Sequence, residues 1–193
     1  MVKKYLYYLY RRLYANETLL VYSKRKGNSL TKRNSDIILL TTVNELESVF
    51  CTSVIFRVIK EELSRGSLAY CYIYQGEVVH YSFLANNEIK VYTSEILGNI
   101  SFSKSLYIYN CYTNEKHRGK GIFKSILNYI INNCPGDESF ISIAATKDNI
   151  SSNSVIRSLG FNLNKTINLR SRFGVKIFNV IHHSEEVPIC LSK

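Results

Sequence analysis

Apolar and polar residues alternate along much of this chain with the short period of strands, interrupted by a few stretches with the longer period of helices. Near the N-terminus, Leu6, Leu9 and Leu13 form one stripe across Lys3–Tyr14, which predicts a basic amphipathic helix. Glu17–Lys24 reads as a strand, and the polar residues 25–35 as a loop. Ile37–Val43 is a further strand. Asn44 then caps a helix with Glu47 at its third position, Leu46, Val49 and Phe50 forming the buried side. Val54, Val58, Ile59 and Leu63 mark a second helix over Val54–Ser64, ended by Arg65-Gly66. Three strands follow, Leu68–Tyr74, Val78–Leu84 and Ile89–Tyr92, turning at Gln75-Gly76 and Asn86-Asn87, pairs that tolerate positive φ. Residues 94–103 read as a loop. The aromatic, β-branched run Ser105–Thr113 is a strand, and Ile122, Ile126, Tyr129 and Ile130 define a helix reaching Asn133, broken by Cys134-Pro135-Gly136-Asp137. Phe140–Thr146 is a buried strand, and a helix capped at Asp148 or Asn149 ends at Gly160. Phe161–Ser171 and Val175–Ile181 form a closing pair around Phe173-Gly174, and the tail from His182 reads as polar and loosely held.

Composition adds bounds. With 193 residues and 46% hydrophobic content the chain suits one domain with a sizeable core, and it has no repeat or low-complexity tract. No apolar run has the length of a membrane span, and Arg11 and Arg12 interrupt the N-terminal stretch too early for a signal peptide. Five scattered cysteines without a Cys-x-x-Cys pair point to reduced thiols in a cytoplasm and against a zinc site. The net charge is +10, and residues 1–33 carry nine basic side chains against Glu17, so eight of the excess charges lie there. A stretch of that kind attracts an acidic partner or an anionic surface, or is a solvated basic face. The expected organisation is a basic extension over 1–35 packed on or attached to a domain over 36–183, with a polar tail over 184–193.

The stretch that organises the rest is Asn110 to Leu127, a strand, a basic glycine turn and the start of a helix. Glycines at 119 and 121 allow the backbone to approach a bulky anion and aim N–H groups at it. The following helix presents its free N–H groups and positive end to the same point. The alternative is an ordinary strand-to-helix turn with solvated charges. The spacing is neither that of a Walker loop nor that of the dinucleotide fingerprint. Arg118-Gly119-Lys120-Gly121-Ile122-Phe123 resembles the acetyl-CoA signature of the GNAT superfamily of acyltransferases, Gln/Arg-x-x-Gly-x-Gly/Ala. Arg118 and Gly121 agree with it, and Phe123 departs from it where a small residue normally leaves room for a phosphate. Asn149 to Phe161, with Ser152 three residues after Asn149 and a Leu159-Gly160-Phe161 end, resembles the later motif of the same superfamily.

That resemblance, spanning roughly residues 36–183 and sharpest over 105–161, implies a GNAT fold. This is an α/β (α+β) arrangement with a mixed central sheet of about seven strands splayed at the cofactor strand and flanked by helices. Here it would carry the extra N-terminal basic helix. It implies that acetyl-CoA serves as acyl-donor substrate, with no metal. Cys111, Tyr112 and Thr113 would lie beside the pantetheine arm, Arg118, Gly119, Lys120, Gly121, Ile122 and Phe123 at the pyrophosphate, and Asn149 and Ser152 near the thioester or outer arm. The helices before Gly66 would shape the acceptor pocket. Many members protonate the leaving thiolate with a tyrosine on the last helix, and Ile156 stands at that position. The catalytic candidates are therefore His80 as base, against a packed or exposed histidine, with Glu77 and a water relay as further options, and Tyr112 among several tyrosines as acid. Cys111 reads as a small apolar filler rather than a nucleophile. His117 reads as flanking the phosphates, and His182-His183 as no metal pair, since neighbours on a strand point oppositely. The resulting expectation is an acetyl-CoA-dependent N-acetyltransferase acting on the primary amine of a small acceptor, an amino sugar or sugar nucleotide. The alternatives are a protein, peptide or antibiotic acceptor, an acyl-carrier-protein-dependent transferase, or a binding module that keeps the fold without catalysis. A homodimer is left open.

Overall fold

The computed structural model describes residues 14–26, 34–85, 91–94, 98–102, 105–136, 139–173, 175–183 and 189–191. The amphipathic helix expected before Tyr14 lies outside them. Eight strands form one mixed sheet: β1 (Tyr14–Arg25), β2 (Ile37–Leu40), β3 (Leu68–Tyr74), β4 (Glu77–Ala85), β7 (Ser105–Thr113), β8 (Phe140–Thr146), β9 (Asn162–Arg172) and β10 (Val175–His182). Their order is β10-β9-β1-β8-β7-β4-β3-β2. β5 (Val91–Ser94), β6 (Gly98–Phe102) and β11 (Ile189–Leu191) form a second, three-stranded sheet. Two expectations change here: the loop read over residues 94–103 contains β6, and the tail read as loosely held supplies β11, which pairs with β6 from Ile189↔Phe102 to Leu191↔Ile100.

Both faces of the large sheet are covered. Helices α1 (Val43–Glu47) and α2 (Ser53–Ser64) lie on one face, over Leu19, Val21, Phe83, Tyr107, Tyr109, Ile167 and Leu169. Helices α3 (Ile122–Asn133) and α4 (Ile150–Ser158) cover Tyr22, Tyr70, Leu84, Ile108, Ile141 and Ile143 on the other. The alternation of strand residues is what feeds these two cores. The cap of α1 is Thr42, not Asn44: its hydroxyl accepts from Glu45 N while the Glu45 carboxylate accepts from Thr42 N, so the capping box sits two residues earlier than expected.

β1 runs inside the sheet, antiparallel to β8 on one side and β9 on the other, with Leu19 opposite both Thr146 and Ile167. Side chains tie it to its neighbours as well. The Tyr22 hydroxyl donates to Asn153 Oδ1 (3.0 Å) and accepts from Arg157 Nε (3.2 Å), and Lys24 Nζ donates to the Leu159 carbonyl (2.6 Å). Lys26 reaches the Gly136 carbonyl, and the Arg25 guanidinium lies over the Phe140 ring. Three of the basic residues in the N-terminal stretch are therefore engaged within the molecule.

Candidate functional site

β7 and β8 are the parallel pair of the sheet, and they pair only from Ser105↔Phe140 to Ile108↔Ile143. Beyond that point both strands continue, to Thr113 and Thr146, without pairing, so a gap opens between them. At the same level β7 changes register against β4. Tyr112 faces Tyr81 and Tyr109 faces Phe83, so two residues, Asn110 and Cys111, stand opposite Ser82 alone. This bulge is held by Asn110 at φ 46°, a left-handed conformation that asparagine tolerates better than most residues. A bulge bends its strand and frees main-chain groups, and here it does so at the start of the gap.

A cleft of about 670 Å³ occupies this place, within the size range of small-molecule sites. Its walls come from the end of β7, the turn before α3, and the first turns of α3 and α4. Cys111, Tyr112, Thr113, Arg118, Gly119, Gly121, Ile122, Phe123, Asn149 and Ser152 all line it, as does His80. Of the residues singled out from the sequence, Lys120 lies apart from this lining; its Nζ sits 5.5 Å from the Tyr74 ring centroid.

The glycine turn has the geometry of an anion seat. Gly119 and Gly121 both take φ +75°, which β-carbon-bearing residues adopt at a cost. Gly121 is the N-cap of α3 and offers no side-chain cap, and the first return bond runs from Ser125 N to the Gly121 carbonyl. The N–H groups of the first helical turn are thus left for an outside acceptor. Arg118 is oriented by its Nε donating to the Thr113 carbonyl (3.2 Å) and by Glu115 at 3.5 Å. Asn149 caps α4 by accepting from Ser152 N (3.1 Å), which fixes the opposite wall. Phe123 turns its ring towards the sheet, 6.0 Å from the His80 ring.

His80 does not suit the role of base. It is fully buried, its Nδ1 is 2.7 Å from Thr113 Oγ1, and its Nε2 is 2.8 Å from Ser82 Oγ. Burial disfavours the imidazolium and pulls its pKa down to about 3, so near neutral pH it is uncharged and weakly basic. Tyr112 is partly exposed and stacks on Tyr81 at 5.4 Å, an open tyrosine at the cleft edge. Burial pushes the Cys111 thiol up to about 12, which keeps it protonated and agrees with a packing role. Ile156 is fully buried on the inner face of α4, and Val155 is the residue of that turn that lines the cleft.

His117, expected to flank the phosphates, lies in the same lining, and the cleft also contains Lys124, Ser151 and Val155, which the sequence did not assign to it. Lys124 follows Gly121 by three residues, a spacing that puts both on one face of the helix, so the helix period was the available signal for it. His117 stacks edge-on against Tyr74 at 5.1 Å, and its Nδ1 is buried without a partner. Among the described residues no group of three His, Cys, Asp or Glu side chains is placed to hold a metal ion.

No family model and no curated protein sequence matches the chain. Solved structures do. A protein assigned to the GNAT family of acetyltransferases from Novosphingobium aromaticivorans superposes with a TM-score of 0.54 at 14% identity, over 80% of this chain and 63% of that one. An acetyltransferase of the GNAT family from Colwellia psychrerythraea gives 0.50 at 11% identity, over 83% and 57%. A conserved protein of unknown function from Staphylococcus epidermidis gives 0.52 at 13% identity, over 83% and 63%. The chain has the GNAT fold. It spans between 57% and 63% of the length of these three structures. Within the GNAT fold seen here, the gap between β7 and β8, the bulge at Asn110-Cys111 and the glycine turn before α3 form one continuous site.

Proposed function

We propose that this protein is an N-acyltransferase that moves the acyl group of acetyl-CoA onto the primary amine of a small acceptor. The observation that carries the reading is the opening of a parallel strand pair directly onto an anion seat, in a fold shared with GNAT proteins. The residues fit such a donor. The α3 N-terminus and the glycine turn suit its pyrophosphate, with Arg118 and Lys124 supplying charge. Main-chain groups of Cys111 to Thr113 on the edge that β8 leaves unpaired suit the amides of its arm. The His117 Nδ1 without a partner lies in the same cleft, as a buried polar atom that a bound donor would satisfy.

In this reading the protein contributes mainly by positioning. Donor and amine are held together in the gap, which removes most of the entropic cost of their encounter. N–H groups near the bulge polarise the thioester carbonyl as charge develops on its oxygen. The leaving thiolate takes its proton from water or from Tyr112, since His80 is neutral and Ile156 points into the core. The scarcity of a tuned acid or base beside the cleft is also what would favour a non-catalytic binding module. The amino-sugar acceptor, the acidic partner and the homodimer remain readings of the sequence alone. Cys51, Cys71, Cys111 and Cys134 are free thiols. No helix among the described residues is long and apolar enough to cross a membrane.

Calorimetry at moderate salt tests the reading. Acetyl-CoA binds with micromolar affinity, on the order of −8 kcal/mol, and an Arg118→Ala, Gly121→Glu variant loses it. If the wild-type protein ignores acetyl-CoA, the acetyl-CoA reading falls, and if the variant binds equally well, the anion seat is not at Arg118 and Gly121. If acetyl-CoA binds and no amine in a broad panel is acetylated, the binding-module reading replaces the enzyme.

A further inference from the structure

A fully buried histidine between two hydroxyls is an unusual way to fill a core. An apolar side chain would pack as well and would avoid the cost of burying two ring nitrogens. His80 accepts that cost and is satisfied on both sides, by Ser82 through Nε2 and by Thr113 through Nδ1. What it holds is informative. Thr113 is the last residue of β7, and its carbonyl accepts from Arg118 Nε, the basic side chain at the anion seat. At the other end Ser82 stands opposite the two bulge residues, Asn110 and Cys111. One polar thread therefore runs from Ser82 through His80 and Thr113 to Arg118, along the floor of the cleft.

We propose that His80 is a positioning residue for the anion seat: through Thr113 it fixes the carbonyl that orients Arg118, and so sets donor affinity without touching the acceptor. The inference rests on the acyl-donor reading above. It assigns His80 to geometry rather than to proton transfer, which fits a ring that stays neutral in the fold.

The test uses the two nitrogens separately. In His80→Asn the side-chain amide sits where Nδ1 was and keeps the Thr113 contact; in His80→Gln the amide reaches the Nε2 position and keeps only the Ser82 contact. Dissociation constants for acetyl-CoA are measured for both, for Thr113→Val and Thr113→Ser, and for the His80→Gln/Thr113→Val double variant, alongside melting temperatures. His80→Gln and Thr113→Val should each weaken binding by roughly tenfold, the worth of about one oriented hydrogen bond. His80→Asn and Thr113→Ser should stay within roughly threefold of wild type. The double variant should be no weaker than either single one, because both remove the same bond. The proposal is overturned if affinity simply follows melting temperature across the set, if His80→Asn and His80→Gln behave alike, or if the double variant is additive. A wild-type protein that does not bind acetyl-CoA sinks the acyl-transfer reading and this one with it. Wild-type binding with unchanged affinities in His80→Gln and Thr113→Val sinks only this one.

Discussion

The two halves of β7 behave as different objects. From Ser105 to Tyr109 every residue is buried, and the backbone pairs with β8 as far as Ile108 and with β4 from Tyr107 to Tyr109. From Asn110 to Thr113 the residues are exposed or partly so, and the backbone pairs with β4 alone. One residue with positive φ separates them. The first half spends its hydrogen-bonding groups on the sheet, while the second leaves them open to a ligand. A strand can thus be scaffold and binding surface in succession, the change being made by a single bulge rather than by a change of composition.

The comparison can be broken first in the scaffold half. Ile108→Ala removes a fully buried side chain between α3 and the sheet and should cost about 2–5 kcal/mol of stability, read by urea denaturation, while donor affinity of the folded protein stays unchanged. Tyr109 marks the border. Its hydroxyl donates to Glu62 Oε2 (2.7 Å) and meets Ser67 Oγ at 2.5 Å. Tyr109→Phe leaves the buried Glu62 with one donor fewer and should cost about 1–3 kcal/mol in the same measurement. If it changes affinity but not stability, the border belongs to the binding half.

Protons sharpen the contrast next. His80 has its pKa lowered to about 3 by burial, against about 6.5 in the unfolded chain. The fold's advantage is complete above the unfolded value. It is lost as pH falls from there towards 3, at about 1.4 kcal/mol per pH unit. His80→Asn should flatten that slope in denaturation curves between neutral and acid pH. The smallest effect is at the bulge itself. Asn110→Val forces a β-branched residue into the left-handed region, at roughly 1–2 kcal/mol, whereas Asn110→Gly should be nearly neutral. If the valine variant binds the donor as tightly as wild type, the bulge is not what opens the gap.

Much of this was legible from local pattern. Leu68–Tyr74 and Phe140–Thr146 coincide with β3 and β8, and the α2 and α4 boundaries fall within a residue of expectation. The glycine turn was readable because its chemistry depends on residues adjacent in sequence. Long-range pairing was less so. β6 and β11 each read as loop or tail, because neither carries a strong alternation and each is a strand only by virtue of its partners. The burial of His80 was equally hidden, since a histidine on a strand looks the same whether it faces a cleft or a core. The N-terminal stretch read as an attachment from its charge, yet its strand lies between β8 and β9. Its charges must therefore be tested by substitution in place, since deleting residues 1–33 would also remove an interior strand.

That interior strand has a consequence for how the molecule is made. β1 pairs with β8 and β9, so that Leu19 waits for Thr146 and Ile167 before it has a neighbour on either side. Contacts this distant along the chain close slowly. During synthesis β1 leaves the ribosome early, with both edges open and apolar residues on both faces. It stays so until most of the remaining chain has followed. The interval between making that strand and burying it is the period in which the nascent chain has most need of protection from aggregation.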